Sequence, residues 1–279
     1  MDYKKQHFTG ERALFRIRGG QIEESRFDDG ESPLKESRNF QVRHSTFGWK
    51  YPLWYSKRFK VEDCVFEEMG RAGIWYSRDF ELDHCEYTAP KGLRKCRRFK
   101  VRNSHFPNAQ ETLWWNNDFE LENIQALEAP YFCMGSKNVR IKHLELQGNY
   151  AFDGCRNVTI EDSHLLTKDA FWNAKNIVLK NCYVEGEYFG WNSENVTLID
   201  CEIHSHQGFC YMKNIKLVNC KIIDTDLAFE YCQNIDAEIT TPVDSIKNPI
   251  SGRIVVPAVG ELIRDDERLD QKATEIIYQ

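Results

Sequence analysis

Five of the seven tryptophans in this 279-residue chain, Trp54, Trp75, Trp114, Trp172 and Trp191, stand five residues before the anchor of a recurring phrase. The same position elsewhere holds Arg94, Met134, Asp153, Cys210 and Glu230; Trp49 and Trp115 fall outside it. A row of outward indoles could hold sugar rings by apolar contact, with Asn173, Asn192 and Glu230 fixing hydroxyls. Carboxylates lie in or beside the row: Glu111, Asp153, Asp169, Glu187 and Glu230. Two of them on adjacent repeats could act as acid and base on a glycosidic bond, and Asp153 with Asp169 is the favoured pair, because Trp172 should neighbour both. Each also has an ordinary reading as a turn or solvated carboxylate. Were the band to face inward instead, the tryptophans would fill an aromatic core.

What positions these residues is the repeat. Arg58-Phe59-Lys60-Val61-Glu62-Asp63-Cys64 and Asn176-Ile177-Val178-Leu179-Lys180-Asn181-Cys182 are two instances of one phrase. Its anchors are Phe40, Phe59, Phe80, Phe99, Phe119, Val139, Val158, Ile177, Val196, Ile215 and Ile235, spaced 19 to 21 residues apart. Apolar and polar residues alternate within the phrase, which is strand periodicity, and a unit this short has no room for a helical return. The sequence therefore predicts an all-β, single-stranded solenoid, a right-handed parallel β-helix of about 12 coils stacked about 4.8 Å apart. The hand follows from the strong preference of parallel crossovers. A leucine-rich repeat has a similar period but needs a different leucine pattern and a helical or 3₁₀ return.

The residue two after the anchor reads Val42, Val61, Leu82, Val101, Leu121, a buried aliphatic column, and the fifth is often Cys or Ser, small residues for a bend. Between them lie Asp63, His84, Asn103, Asn123, His143 and their equivalents, side chains suited to turns. His44, His84 and His143 are accordingly read as turn residues rather than metal ligands. The chain is expected to be one domain, with irregular coils and a cap over 1–38, regular coils over 39–240, and closing strands with a C-terminal tail over 241–279. Asp265-Asp266-Glu267 is expected to begin that tail.

A net charge of −6 offers no general attraction for nucleic acid or an anionic membrane, and neither is expected as a partner. The basic stretch Lys91, Arg94, Lys95, Arg97, Arg98, Lys100, Arg102 is either the charged exterior of one coil or an attractor of uronate or phosphate. The start of the sequence lacks a secretory pattern, which gives the expectation of a cytoplasmic protein. Its ten cysteines include no CxxC pair and follow the repeat, so they are read as free core thiols. No cofactor or metal is called for, and the oligomeric state is open.

Several phrases resemble a bacterial family of unknown function within the pectin-lyase-like β-helix superfamily. They are Gly10-Glu11-Arg12-Ala13-Leu14-Phe15, Asp29-Gly30-Glu31-Ser32-Pro33-Leu34-Lys35-Glu36-Ser37, Tyr51-Pro52-Leu53-Trp54-Tyr55, Glu111-Thr112-Leu113-Trp114-Trp115, Asp169-Ala170-Phe171-Trp172-Asn173 and Asn248-Pro249-Ile250-Ser251-Gly252. The resemblance covers nearly the whole chain and implies the fold, but brings no catalytic residues with it. Arg140-Ile141-Lys142 matches a phrase of the polygalacturonases, yet it falls on the ordinary strand pattern with both cations outward. Two functions remain: a carbohydrate-active protein binding an oligosaccharide or sugar conjugate along the Trp54 to Glu230 band, as a glycoside hydrolase or lyase if it is catalytic, or a non-catalytic assembly module using the same face for a protein.

Overall fold

The computed structural model describes residues 2–270 and 272–279, which form a parallel β-solenoid of about 15 turns with almost no helix. No helix among these residues is long and apolar enough to cross a membrane. The chain divides into two compact units, residues 1–145 and 146–279.

In the first unit the anchors stack in strict register: Phe40 faces Phe59, Phe59 faces Phe80, Phe80 faces Phe99, and Phe99 faces Phe119. Their rings are nearly parallel, with centroids 5.3, 4.8, 4.8 and 4.7 Å apart. A second column runs Phe8, Phe27, Phe47, Phe66, Tyr87 along the short strands, half-buried at Phe8 and buried from Phe27 on. Flat rings suit a solenoid because the strand spacing is close to their stacking distance. Val42, Val61, Leu82 and Val101 form the expected aliphatic column, each almost fully buried.

A buried polar column lies three residues before the anchor, at Ser37, Ser56, Ser77, Cys96, Asn116 and Ser136. The Ser56 hydroxyl donates to the Leu34 carbonyl at 2.7 Å and accepts from the Ser37 amide at 3.3 Å, and Ser77 repeats the pattern one coil on. Because these buried groups are satisfied, the residues on either side of them can point outward at fixed positions.

The second unit stacks Val158, Ile177, Val196, Ile215 and Ile235. Beside them runs an asparagine ladder, in which Asn176, Asn195, Asn214 and Asn234 each donate to the asparagine one coil earlier at 2.7–2.8 Å. These asparagines have φ of 54–59°, a left-handed conformation that Asn tolerates better than most residues. His44, His84 and His143 share that conformation, His44 and His84 at bends as expected and His143 inside the continuous strand Lys137–Gly148 rather than at a turn.

The ends are more regular than their sequence suggests. Asp2–Lys4 pairs with Gln21–Glu23 in register, so coiling begins almost at once. At the other end Thr274–Tyr278 pairs with Gly252–Val256, and Asp265-Asp266-Glu267 leads into this last strand rather than into a tail. These end coils account for the turns beyond the expected dozen: their backbone pairing continues where the side-chain phrase does not.

Candidate functional site

The turn carrying the tryptophans is not a strand. In the coil of Trp54, residues Tyr51, Leu53 and Tyr55 have φ near 60°, and Ile74 and Tyr76 repeat this in the next coil. Alternating left-handed residues throw Leu53 and Ile74 inward, Trp54 and Trp75 to the half-buried surface, and Tyr55 and Tyr76 fully outward.

In the first unit the outward rings close on one another. Trp54 and Trp75 stack at 5.2 Å with planes 7° apart, and the Arg94 guanidinium lies 5.0 Å from the Trp75 ring and 4.2 Å from the Trp114 ring. Both faces of Trp75 are thus occupied, an arrangement favoured by stacking and cation–π attraction. The indole N–H groups of Trp54, Trp75 and Trp114 donate to the Ala72, Lys91 and Tyr131 carbonyls at 2.6–2.7 Å. A parallel lane holds Tyr55 stacked on Tyr76 at 4.8 Å, with Lys95 over both Tyr76 and Trp115. The facing sides of Trp54 and Trp75 and of Tyr55 and Tyr76, and the ring faces under Arg94 and Lys95, are taken up by these contacts. Trp49 lies elsewhere, beside an open cleft where Arg26 is committed to Glu67 and Asp28.

The second unit differs. Trp172 and Trp191 lie 6.0 Å apart and tilted by 38°, and Trp191 meets Tyr211 at 46°, so these rings do not close into a stack. Tyr150 and Tyr188 approach Trp172 and Trp191 edge-on. Beneath them Asp169 and Ala170 pair in parallel with Tyr188 and Phe189, a two-stranded ladder of their own. The close approach depends on Gly186, since a Cβ there would sit 2.0 Å from the Thr167 carbonyl oxygen.

Asp169 is 2% exposed, and its Oδ1 is buried with no hydrogen-bond partner. The Trp172 indole nitrogen is likewise buried and unmatched, unlike its three counterparts in the first unit. Burial raises the Asp169 carboxyl above its ordinary range; Lys168 opposes the shift and the nearby charge of Glu187 adds to it. Lys168 and Glu187 pair at 3.0 Å, and Glu187 also pushes the Tyr188 phenol upward.

A carboxyl raised in the folded state is more readily protonated there than in the unfolded chain. Its stabilising contribution is full below the ordinary value of 3.8 and is lost as pH climbs through the raised folded value. Thermal melts of Asp169→Asn should therefore gain on the parent protein as pH rises from about 4 to 7. A variant that instead loses ground to the parent over that range would show that Asp169 is a stabilised carboxylate.

The remaining site residues sort by their partners. Asp153 accepts from Asn173 at 3.3 Å, and Asn192 donates to Asn173 at 2.9 Å, forming a surface polar ladder. The carboxylate whose charge acts on Asp169 is Glu187. Glu230 is nearly buried and held by Gln207 at 2.6 Å and Lys247 at 3.1 Å, and Glu111 is held by Arg94 and Lys91. Tyr150, Lys168 and Tyr188 complete the Asp169 corner without having stood out in the sequence; the one signal was the break in coil pattern at Gly186-Glu187-Tyr188. The ten cysteines are buried thiols.

Among solved structures, the chain is similar to PfbA, a surface adhesin of Streptococcus pneumoniae, at 9% identity and TM-score 0.40, covering 94% of this chain and 81% of that one. It is similar to the A-module of the Azotobacter vinelandii mannuronan C-5 epimerase AlgE4 at 10% identity and TM-score 0.37, covering 98% and 89%. The catalytic domain of a GH87 α-1,3-glucanase in complex with nigerose matches at 8% identity and TM-score 0.33, covering 99% and 63%. No curated protein matches the sequence. With residues 1–277 matched end to end, the chain belongs to the family described as "Protein of unknown function (DUF3737)".

Proposed function

We propose that this protein is a carbohydrate-binding β-solenoid whose sugar site lies on the second unit, around Trp172, Trp191 and Asp169. The observation that carries the reading is the pairing of unstacked indoles with a buried carboxyl whose Oδ1 lacks a partner. Tilted rings leave apolar face available to a pyranose, and Asn173, Asn192 and Asp153 supply donors and acceptors beside it. Asp169, with its raised proton affinity, is suited to give a proton to a glycosidic or hydroxyl oxygen, and Glu187 is the second carboxylate of the corner. On this reading the acid–base pair is Asp169 with Glu187, while Asp153 contributes to binding. The tryptophans of the first unit do not share the role, because their faces already cover one another.

A glycan-array screen followed by titration tests this. A bound glycan should be lost with Trp191→Ala and retained with Trp75→Ala. Absence of any bound glycan, or equal loss in the two variants, would contradict the proposal.

A further inference from the structure

Outward charges on the first unit are mostly balanced between coils. One residue before the anchor, Arg58 donates to Asn39 at 2.7 Å and Arg98 to Asp79 at 2.6 Å. One residue after it, Lys100 pairs with Glu120 at 2.9 Å; three after it, Arg43 pairs with Glu62 at 2.6 Å and Arg102 with Glu122 at 3.3 Å.

The column two residues before the anchor breaks this rule. Arg18, Arg38, Lys57, Arg78 and Arg97 follow one another in strand register on five successive coils, with no acid among them. Among the described residues, Arg78 comes within 3.9 Å of Asp79, a carboxylate already engaged by Arg98, and the charge of the same Asp79 also reaches Lys57. Like charges directly opposite on neighbouring strands repel. Accordingly burial and the charges of Arg78, Arg38 and Arg58 pull the Lys57 amine below its ordinary value. On the far side of the buried serine column runs the lane of Tyr55, Tyr76, Lys95 and Trp115, with Tyr55 48% and Trp115 47% exposed.

We infer that the Arg18 to Arg97 column, with the Tyr55 to Trp115 lane beside it, is a binding track for a linear anionic polysaccharide carrying one carboxylate per sugar. The cations advance by one strand spacing, about 4.8 Å, in a straight row. In an extended pyranose chain successive sugars advance by about one strand spacing and turn over, so same-face carboxylates recur at about two strand spacings and meet every second cation of the row, while ring C–H groups and hydroxyls lie on the tyrosine and tryptophan edges. An extended acidic peptide repeats its same-face side chains at about 6.8 Å and falls out of step. Single-stranded nucleic acid needs open aromatic faces for its bases, and the faces in this lane are covered by Tyr–Tyr and lysine–aromatic contacts. This site is separate from that of Asp169 and does not rest on it.

Isothermal titration of the full chain at low salt with an oligogalacturonate is the test. Binding is expected, weakening as sodium chloride is added. The double variant Arg38→Gln/Arg97→Gln should bind roughly tenfold more weakly, while Lys100→Gln, taken from a balanced column, should bind as the parent does. Trp191→Ala should also leave it unchanged, which separates this site from the one on the second unit. Lys57→Gln should weaken binding and raise the melting temperature, since it relieves repulsion. The inference is overturned if the oligogalacturonate does not bind, if the double variant binds unchanged, if Trp191→Ala abolishes binding, if Lys57→Gln lowers the melting temperature, or if neutral dextran, polyglutamate, polyphosphate or oligothymidine binds as tightly.

Discussion

Phe80→Ala should cost about 4 kcal/mol of folding free energy, near the upper end for a core truncation. Phe80 is 3% exposed, and its ring lies 4.8 Å from Phe59 on one side and 4.8 Å from Phe99 on the other, nearly parallel to both. Truncation removes the buried area of one ring and the facing contacts of two more. Collapse cannot close the gap, because backbone ladders hold the flanking strands at their spacing. In a solenoid each coil leans on its neighbours, so hydrogen exchange should show protection lost first in the Phe59 and Phe99 strands. Phe80→Leu, which keeps most of the volume, should cost less than half as much. Urea denaturation followed by circular dichroism reads both values; a cost under about 1 kcal/mol for alanine would mean that the ring column contributes little.

Gly252→Ala should detach the strand Gly252–Val256 together with Thr274–Tyr278, which pairs on it. Gly252 faces the Ile235 anchor, so its neighbour's backbone lies where a side chain would go. A Cβ there would stand 2.1 Å from the Ile235 carbonyl oxygen and 2.4 Å from its nitrogen, at a φ of 128° that only glycine adopts with ease. Backbone strain alone is about 1–3 kcal/mol, and the overlap adds to it. Limited proteolysis should cut the variant between residues 240 and 279 while the remaining coils stay resistant. Arg253→Ala, whose loss is one exposed pair with Asp236, is the control and should behave as the parent does.

In-register stacking made much of the fold legible, because it turns a structural column into a repeated residue type. Phe59, Phe80 and Phe99, the Val42 to Val101 column and the Asn176 to Asn234 ladder could be read one under another from spacing alone. The end coils could not, since Tyr3, Ile22 and Gly252 keep the backbone pairing without the surrounding phrase. Side-chain direction in the tryptophan turn was harder. Strand alternation predicts an outward row, and the indoles do lie at the surface, but left-handed residues such as Leu53 and Tyr55 put them there.

The sequence also could not show that neighbouring indoles would use up their own faces. Coils about 4.8 Å apart leave no space for a sugar between stacked rings, so a row suited by composition to sugar binding becomes a closed stack wherever its members align. Trp54, Trp75 and Trp114 are in that state through Arg94. Trp172 and Trp191 escape it where the small ladder of Asp169 with Tyr188 alters the corner. The Asp169 environment depends on the same ladder and on the close approach at Gly186, neither of which leaves a periodic trace.

The most direct measurement of the sugar-site proposal is a nitrogen-15 spectrum of the indole N–H groups, assigned by single substitution, during titration with a glycan that the array identifies. Signals of Trp172 and Trp191 should shift or broaden as the glycan is added, and those of Trp54, Trp75 and Trp114, locked by carbonyl bonds and by stacking, should stay where they are. Movement confined to the first-unit indoles, or equal movement of all, would contradict the account.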